Sequence, residues 1–311
     1  MKAWQFTAVN EPLKLVDLPD PTPAADEIVL EVKAAGLCHS DVSFVDGTIT
    51  SLLGHIPIVL GHETAGVVTA VGSDVTEFAI GDKVGIPATT EGPGTAVDGG
   101  FAEKVAVKEH LAVHVPEGVD FEQAAPAMDA ARTAYRGVMT FGKVKKGMNV
   151  GIIGFGGLGS LGAQIAEAQG AHVFVAEVNK ASWDRATAGG AEGVSADIRD
   201  FADKGLDVII DFAGFGTTTA QAVEAIKQGG TIVQIGLARE EATISTQKIT
   251  MKEITLVGAS NGEKSEAEAV LGLIADGSLS SLTVPITFDQ IPEYVDKLAK
   301  GEVAGRAVAL S

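Results

Sequence analysis

The stretch NVGIIGFGGLGSLGAQIAEAQG, residues 149–170, decides the fold. Its opening, NVGIIGF, is an apolar run suited to a strand buried on both faces. Gly154-Phe155-Gly156-Gly157-Leu158-Gly159 is a glycine-rich turn. LGSLGAQIAEAQG then reads as a helix with Leu158, Leu161, Ile165 and Ala168 on one face. Strand, turn and helix in that order present backbone amides at a helix N-terminus, where a pyrophosphate binds. The next strand, HVFVAEV (172–178), carries Glu177, 18 residues past Gly159. A carboxylate there accepts hydrogen bonds from adenosine ribose hydroxyls and repels a 2′-phosphate. The pattern predicts a dinucleotide site built on Gly154, Gly156, Gly157, Leu158, Gly159 and Glu177, with NAD favoured over NADP. Lys180 is the nearby residue that could receive a phosphate.

Outward from that stretch, the chain keeps alternating strand and helix. DVIIDFAG, TIVQIG and ITLVGAS are further apolar runs, separated by NKASWDRATAGG and TTAQAVEAIKQGG. This spacing fits βαβ units and a doubly wound parallel sheet over about residues 130–262. Residues 1–129 read differently. EIVLEVKAAG, TAGVVTAVG, GDKVGIPA, FAEKVAVK and LAVHVP are short runs bounded by Gly, Pro or Asp, as expected of a small barrel or sandwich. FEQAAPAMDAARTAYRGV, from Phe121, is alanine-rich and helix-like, with Pro126 as an interruption. After Gly262 come two amphipathic helices, one with Val270, Leu273 and Ile274, the other with Ile291, Val295 and Leu298, and then the strand RAVALS. So short a tail, 263–311, is expected to return to the N-terminal domain and complete it.

Composition removes whole classes of function. The chain has 311 residues, and Asp plus Glu (41) exceed Lys plus Arg (23) by 18. Such a field repels phosphate backbones and anionic lipid, so no nucleic-acid or membrane-surface partner is expected. The N-terminus has no secretory pattern, and a cytoplasmic location follows as an expectation. The lone cysteine, Cys38, excludes an intramolecular disulfide and a four-cysteine zinc site.

That cysteine lies in GLCHSD (Gly36 to Asp41), and LGHETAG (Leu60 to Gly66) contributes His62. A lone thiol is commonly a small core residue and a lone imidazole a surface group. Together with His39, Ser40, Asp41 and Glu63 they read as a site. These motifs, with TAVGSDVTEFAIGDKV, DGGFAEKVAVK, EQAAPAMDAARTAY, the GFGGLG turn and the terminal GRAV, resemble the zinc-dependent alcohol dehydrogenase branch of the medium-chain dehydrogenase/reductase superfamily. The resemblance covers essentially the whole chain.

It implies a Rossmann domain plus a discontinuous β-rich GroES-like catalytic domain, with the active site in the cleft. Carried over by position, Cys38, His62 and Asp129 are the catalytic zinc ligands. Thiolate, carboxylate and neutral imidazole together cancel the charge of Zn²⁺. Glu63 matches a glutamate that approaches the metal when the fourth position changes hands, and Asp41 a carboxylate that orients the ligand histidine. Ser40 matches the hydroxyl that bonds the substrate oxygen and starts a proton relay, whose usual histidine outlet is here Ser43. His39 and Arg306 match basic positions near the cofactor pyrophosphate, and Thr133 one beside the nicotinamide.

The implied reaction is reversible alcohol oxidation with hydride transfer to NAD, on a primary or secondary alcohol giving aldehyde or ketone. Family members carry a four-cysteine structural-zinc lobe where this chain has only Gly85 to Val97, so one zinc per subunit is expected. A homodimer or homotetramer is expected through ITLVGAS. The substrate pocket is expected around Phe44, Leu52 to Ile56 and Leu237. Two alternatives compete. One is a zinc-free quinone oxidoreductase or enoyl reductase of the same superfamily, and the other is a non-catalytic nucleotide-binding protein.

Overall fold

The computed structural model describes residues 1–311, which fall into two compact units, Met1–Arg132 with Gly262–Ser311 and Thr133–Asn261. The chain thus leaves the first unit after Arg132 and rejoins it after Asn261.

The strands, in chain order, are β1 (Lys2–Phe6), β2 (Lys14–Asp17), β3 (Glu27–Gly36), β4 (Ile58–Val59), β5 (Glu63–Val71), β6 (Lys83–Ile86), β7 (Lys104–Lys108) and β8 (Val113–His114) in the first segment. The second unit holds β9 (Asn149–Ile153), β10 (His172–Ala176), β11 (Gly193–Ser195), β12 (Val208–Asp211), β13 (Thr231–Gln234) and β14 (Thr255–Gly258). The return segment adds β15 (Thr283–Thr287) and β16 (Arg306–Leu310).

In the first unit, β2, β1 and β4 form a small sheet, and the larger one runs β15-β16-β3-β5-β6-β8, with β7 on β3. The tail therefore does complete this unit: β16 lies antiparallel to β3, Val308 opposite Gly36. Burial explains why it stays there. Ala307 and Ala309 are buried in a core shared with Phe6, Ile28, Leu30, Leu60 and Phe101. Ile291, Val295 and Leu298, one face of the helix Ile291–Ala299, pack into the same core. So does Phe44, 4% exposed.

The second unit is a six-stranded parallel sheet of order β11-β10-β9-β12-β13-β14. The order reverses between β9 and β12, so a crevice opens beyond the carboxyl ends of those strands. Ala-rich residues 121–141 behave differently from the sequence reading. Pro126 does not interrupt the helix. Phe121–Pro126 runs directly into a π-helical segment, Ala127–Ala131, then Arg132–Tyr135 and a second π segment, Arg136–Phe141. In the helix Gly157–Ala168 the buried face holds Leu161, Ala163, Ile165 and Ala166, whereas Ala168 faces solvent.

Candidate metal centre and dinucleotide site

Four side chains that ligate metals meet in the first unit. Cys38 follows β3 and begins the helix His39–Val45, while His62 and Glu63 stand at the start of β5. Asp129 comes from the π segment, whose wider turn is a local device common at functional sites. One ligand atom from each of Cys38, His62, Glu63 and Asp129 lies within 4.8 Å of all the others. Cys38 Sγ is 3.5 Å from Asp129 Oδ2, and His62 Nε2 is 3.6 Å from the same oxygen. Ligands at 2.0–2.3 Å from a tetrahedral centre lie roughly 3.3–3.8 Å apart. The residues therefore fit a zinc-sized cation.

The surroundings are those of a held site. The Asp41 carboxylate is fully buried, accepts the Cys38 backbone N–H at 2.8 Å through Oδ2, and places Oδ1 3.4 Å from His62 Nδ1. His62 thus turns Nε2 toward the other ligands and Nδ1 toward a carboxylate, the usual arrangement for a ligating imidazole. Ser40 Oγ is 3.7 Å from Cys38 Sγ, so a hydroxyl borders the same space. The π segment is tied down from β6: the Ala88 N–H donates to Met128 O at 3.0 Å, and Arg132 Nη2 donates to Ala88 O.

Charge at the site is strongly perturbed. Burial works against the charged ring of His62, yet Asp41 and Asp129 hold its pKa well above the ordinary value. Burial also opposes a Cys38 thiolate, but Arg306 lowers the thiol below its usual range. For Glu63, burial is the largest effect and pushes the carboxyl well up, with Arg306 opposing. Arg306 itself is buried, 6% exposed. Its Nη1 donates to Leu37 O at 3.0 Å and lies 3.4 Å from Glu63 Oε1. Sequence reasoning gave Arg306 a cofactor role and missed this contact with Glu63.

In the second unit the glycine turn has the expected geometry. Gly154 sits at φ +84°, a conformation that favours glycine, and a Cβ on Gly159 would stand 1.8 Å from Gly154 O. The space beside Gly156 is open, with Gly157 and Leu158 starting the helix. Glu177, just past β10, accepts the Phe155 N–H at 2.6 Å through Oε2 and the Asn179 N–H at 2.7 Å through Oε1. The carboxylate therefore fixes the turn through both of its oxygens. Arg185 was not singled out from sequence. Its Nη2 donates to Phe155 O at 3.1 Å, and its guanidinium lies over the Phe155 ring. Lys180 lies over the Trp183 ring. Thr133 is buried at the start of this unit, and His39 is exposed on the first unit. The structure thus gathers Cys38, Ser40, Asp41, His62, Glu63, Asp129 and Arg306 into one cluster, and the glycines with Glu177 into another.

Comparison with known proteins identifies the two units. Residues 24–117 match the alcohol dehydrogenase GroES-like domain, and residues 157–276 match the zinc-binding dehydrogenase domain. An alcohol dehydrogenase of Geobacillus stearothermophilus is 28% identical, the match covering 99% of each chain. A probable cinnamyl alcohol dehydrogenase of Populus deltoides is 29% identical over 91% of this chain and 88% of its own. Among solved structures, the alcohol dehydrogenase of the archaeon Aeropyrum pernix matches with TM-score 0.89 and 26% identity over 100% of both chains. Acetophenone reductase of Geotrichum candidum, solved with NAD, matches with TM-score 0.90 and 28% identity over 100% of this chain and 97% of its own. The chain belongs to the zinc-type alcohol dehydrogenases of the medium-chain dehydrogenase/reductase superfamily. The relatives named are alcohol dehydrogenases and an acetophenone reductase, in keeping with a chain made of a GroES-like unit and a Rossmann unit.

Proposed function

We propose that the protein is a zinc- and NAD-dependent alcohol dehydrogenase that interconverts a primary or secondary alcohol with its aldehyde or ketone. The observation that carries this reading is the approach of Cys38, His62 and Asp129 to tetrahedral ligand spacing in a buried setting. One zinc held by these three residues supplies Lewis acidity toward an oxygen, and a nicotinamide supplies the hydride acceptor.

The chain's own residues do the rest. Asp41 orients the His62 ring and fixes the Cys38 backbone. Ser40 Oγ stands beside the ligand set, where it can accept a hydrogen bond from the substrate hydroxyl and take its proton only as it hands its own on to water. The Gly154–Gly159 turn presents amides to a pyrophosphate, and Glu177 keeps acceptor capacity for the ribose. NAD is preferred because a carboxylate at that position opposes a 2′-phosphate. A second copy of this chain is the expected macromolecular partner.

Purified enzyme should contain one zinc per chain and lose alcohol oxidation on chelation. Alanine at Cys38, His62 or Asp129 should lower turnover at least about a thousandfold and leave nucleotide binding in place. A metal-free preparation that reduced enones but not ketones would replace this reading with that of a zinc-free reductase. A higher kcat/KM with NADPH than with NADH would overturn the role given to Glu177.

A further inference from the structure

Glu63 is a fourth potential ligand, and the geometry shows what holds it back. Its carboxylate is fully buried and neither oxygen makes a hydrogen bond. A buried carboxylate without hydrogen bonds is costly unless a cation faces it. Two cationic positions are within reach. One is Arg306 Nη1, 3.4 Å from Oε1, and the other is the point on which Cys38, His62 and Asp129 converge.

The choice between them is set from the neighbouring strand. Gly36 and Glu63 are direct partners across β3 and β5. A Cβ on Gly36 would stand 2.0 Å from Glu63 Oε2 and 3.0 Å from both its Cβ and its Cδ. The missing side chain is thus the space that the carboxylate occupies. With Gly36 filled, Oε2 must leave. Arg306 already faces Oε1, and the other cationic position open to the displaced carboxylate is the point where the Cys38, His62 and Asp129 ligand atoms converge, all within 4.8 Å of a Glu63 oxygen.

We propose that Gly36 is a positioning residue: by lacking a side chain it seats the Glu63 carboxylate beside β3, and so keeps the metal's fourth position free for substrate. The inference rests on the zinc reading above. It adds a residue that touches neither metal nor substrate, yet determines whether the site is open with three protein ligands or closed with four.

The test uses the full-length protein loaded with Co²⁺, whose visible absorption reports ligand number, and imidazole as the probe for an open position. Wild-type protein should bind one Co²⁺ per chain and respond to imidazole. Failure to bind Co²⁺ at all would remove the zinc reading itself and would be seen before any variant is made. Gly36→Ala should bind imidazole at least about tenfold more weakly and release Co²⁺ about tenfold more slowly, as a gained carboxylate ligand requires. Gly36→Ala combined with Glu63→Ala should regain the wild-type response, and Glu63→Ala alone should leave the resting spectrum unchanged.

A folded Gly36→Ala protein with wild-type imidazole affinity overturns the proposal. So does a changed resting spectrum in Glu63→Ala, which would make Glu63 a standing ligand. Should Gly36→Ala fail to fold, the double variant decides. Folded and imidazole-responsive, it locates the crowding on the carboxylate and supports the proposal. Unfolded, it shows that Gly36 is needed for packing instead, and the proposal fails.

Discussion

His62 concentrates the pH behaviour of the candidate metal centre. In the metal-free protein its ring is drawn toward the charged form by Asp41 at 3.4 Å and Asp129 at 3.6 Å, despite burial. A metal requires the neutral ring, so binding must expel that proton. The sign follows directly. While the pH lies below the raised pKa, affinity should fall as pH falls, by about tenfold per unit for each proton released. The dependence should flatten once the pH exceeds that pKa. Zinc affinity measured by chelator competition from pH 6 to 8 checks this, and a flat profile would take His62 off the ligand set. Cys38 and His62 stood out in the sequence because GLCHSD and LGHETAG group them with Ser40, Asp41 and Glu63, whereas Asp129 joined them only through the family resemblance. The Arg306 contact did not. Arg306 and Leu37, joined by a hydrogen bond, are 269 residues apart, and no local pattern announces a partner at that distance.

Elements differ in how openly the sequence declares them. EIVLEVKAAG is β3 residue for residue, since β-branched and aliphatic residues bounded by turn formers leave little choice. The π segment carrying Asp129 gave no such signal, because Ala-rich composition suits an α-turn and a π-turn alike and packing decides between them. The loop after β12 is a further case. Asp211, fully buried, accepts the N–H groups of Ala213 at 3.0 Å and Gly214 at 2.8 Å through Oδ1. Through Oδ2 it accepts the hydroxyl of Thr218 at 2.8 Å, and the single hydroxyl proton of Thr219 is placed between Asp211 Oδ2 at 3.0 Å and Gln234 Oε1 at 2.9 Å. One carboxylate therefore sets the backbone at the carboxyl end of β12, on the side of the sheet where a nucleotide lies. Asp211→Ala leaves these donors without their acceptor. It should destabilise the protein by about 2–4 kcal/mol in chemical denaturation and weaken nucleotide binding measured by calorimetry. Unchanged nucleotide affinity would confine Asp211 to a stabilising part.

On the scale of the whole molecule, the acidic excess and the free edge of the parallel sheet pull in opposite directions. A net charge of −18 keeps copies apart, so association needs a specific surface. β14 is the proposed candidate: it pairs with β13 on one side and ends the sheet on the other. Leu256 on it is 39% exposed, and Met251 in the preceding helix is 72% exposed. An edge strand with exposed apolar residues and no proline is a template for pairing with a second copy. That is the physical basis for the proposed homodimer or homotetramer. Light scattering coupled to size exclusion should give a mass of two or four chains for wild-type protein. Leu256→Lys places like charges opposite one another across a symmetric contact. It should shift the mass toward a single chain, most clearly at low salt, where the repulsion is least screened. If the variant keeps the wild-type mass at low protein concentration, the subunits meet somewhere other than β14.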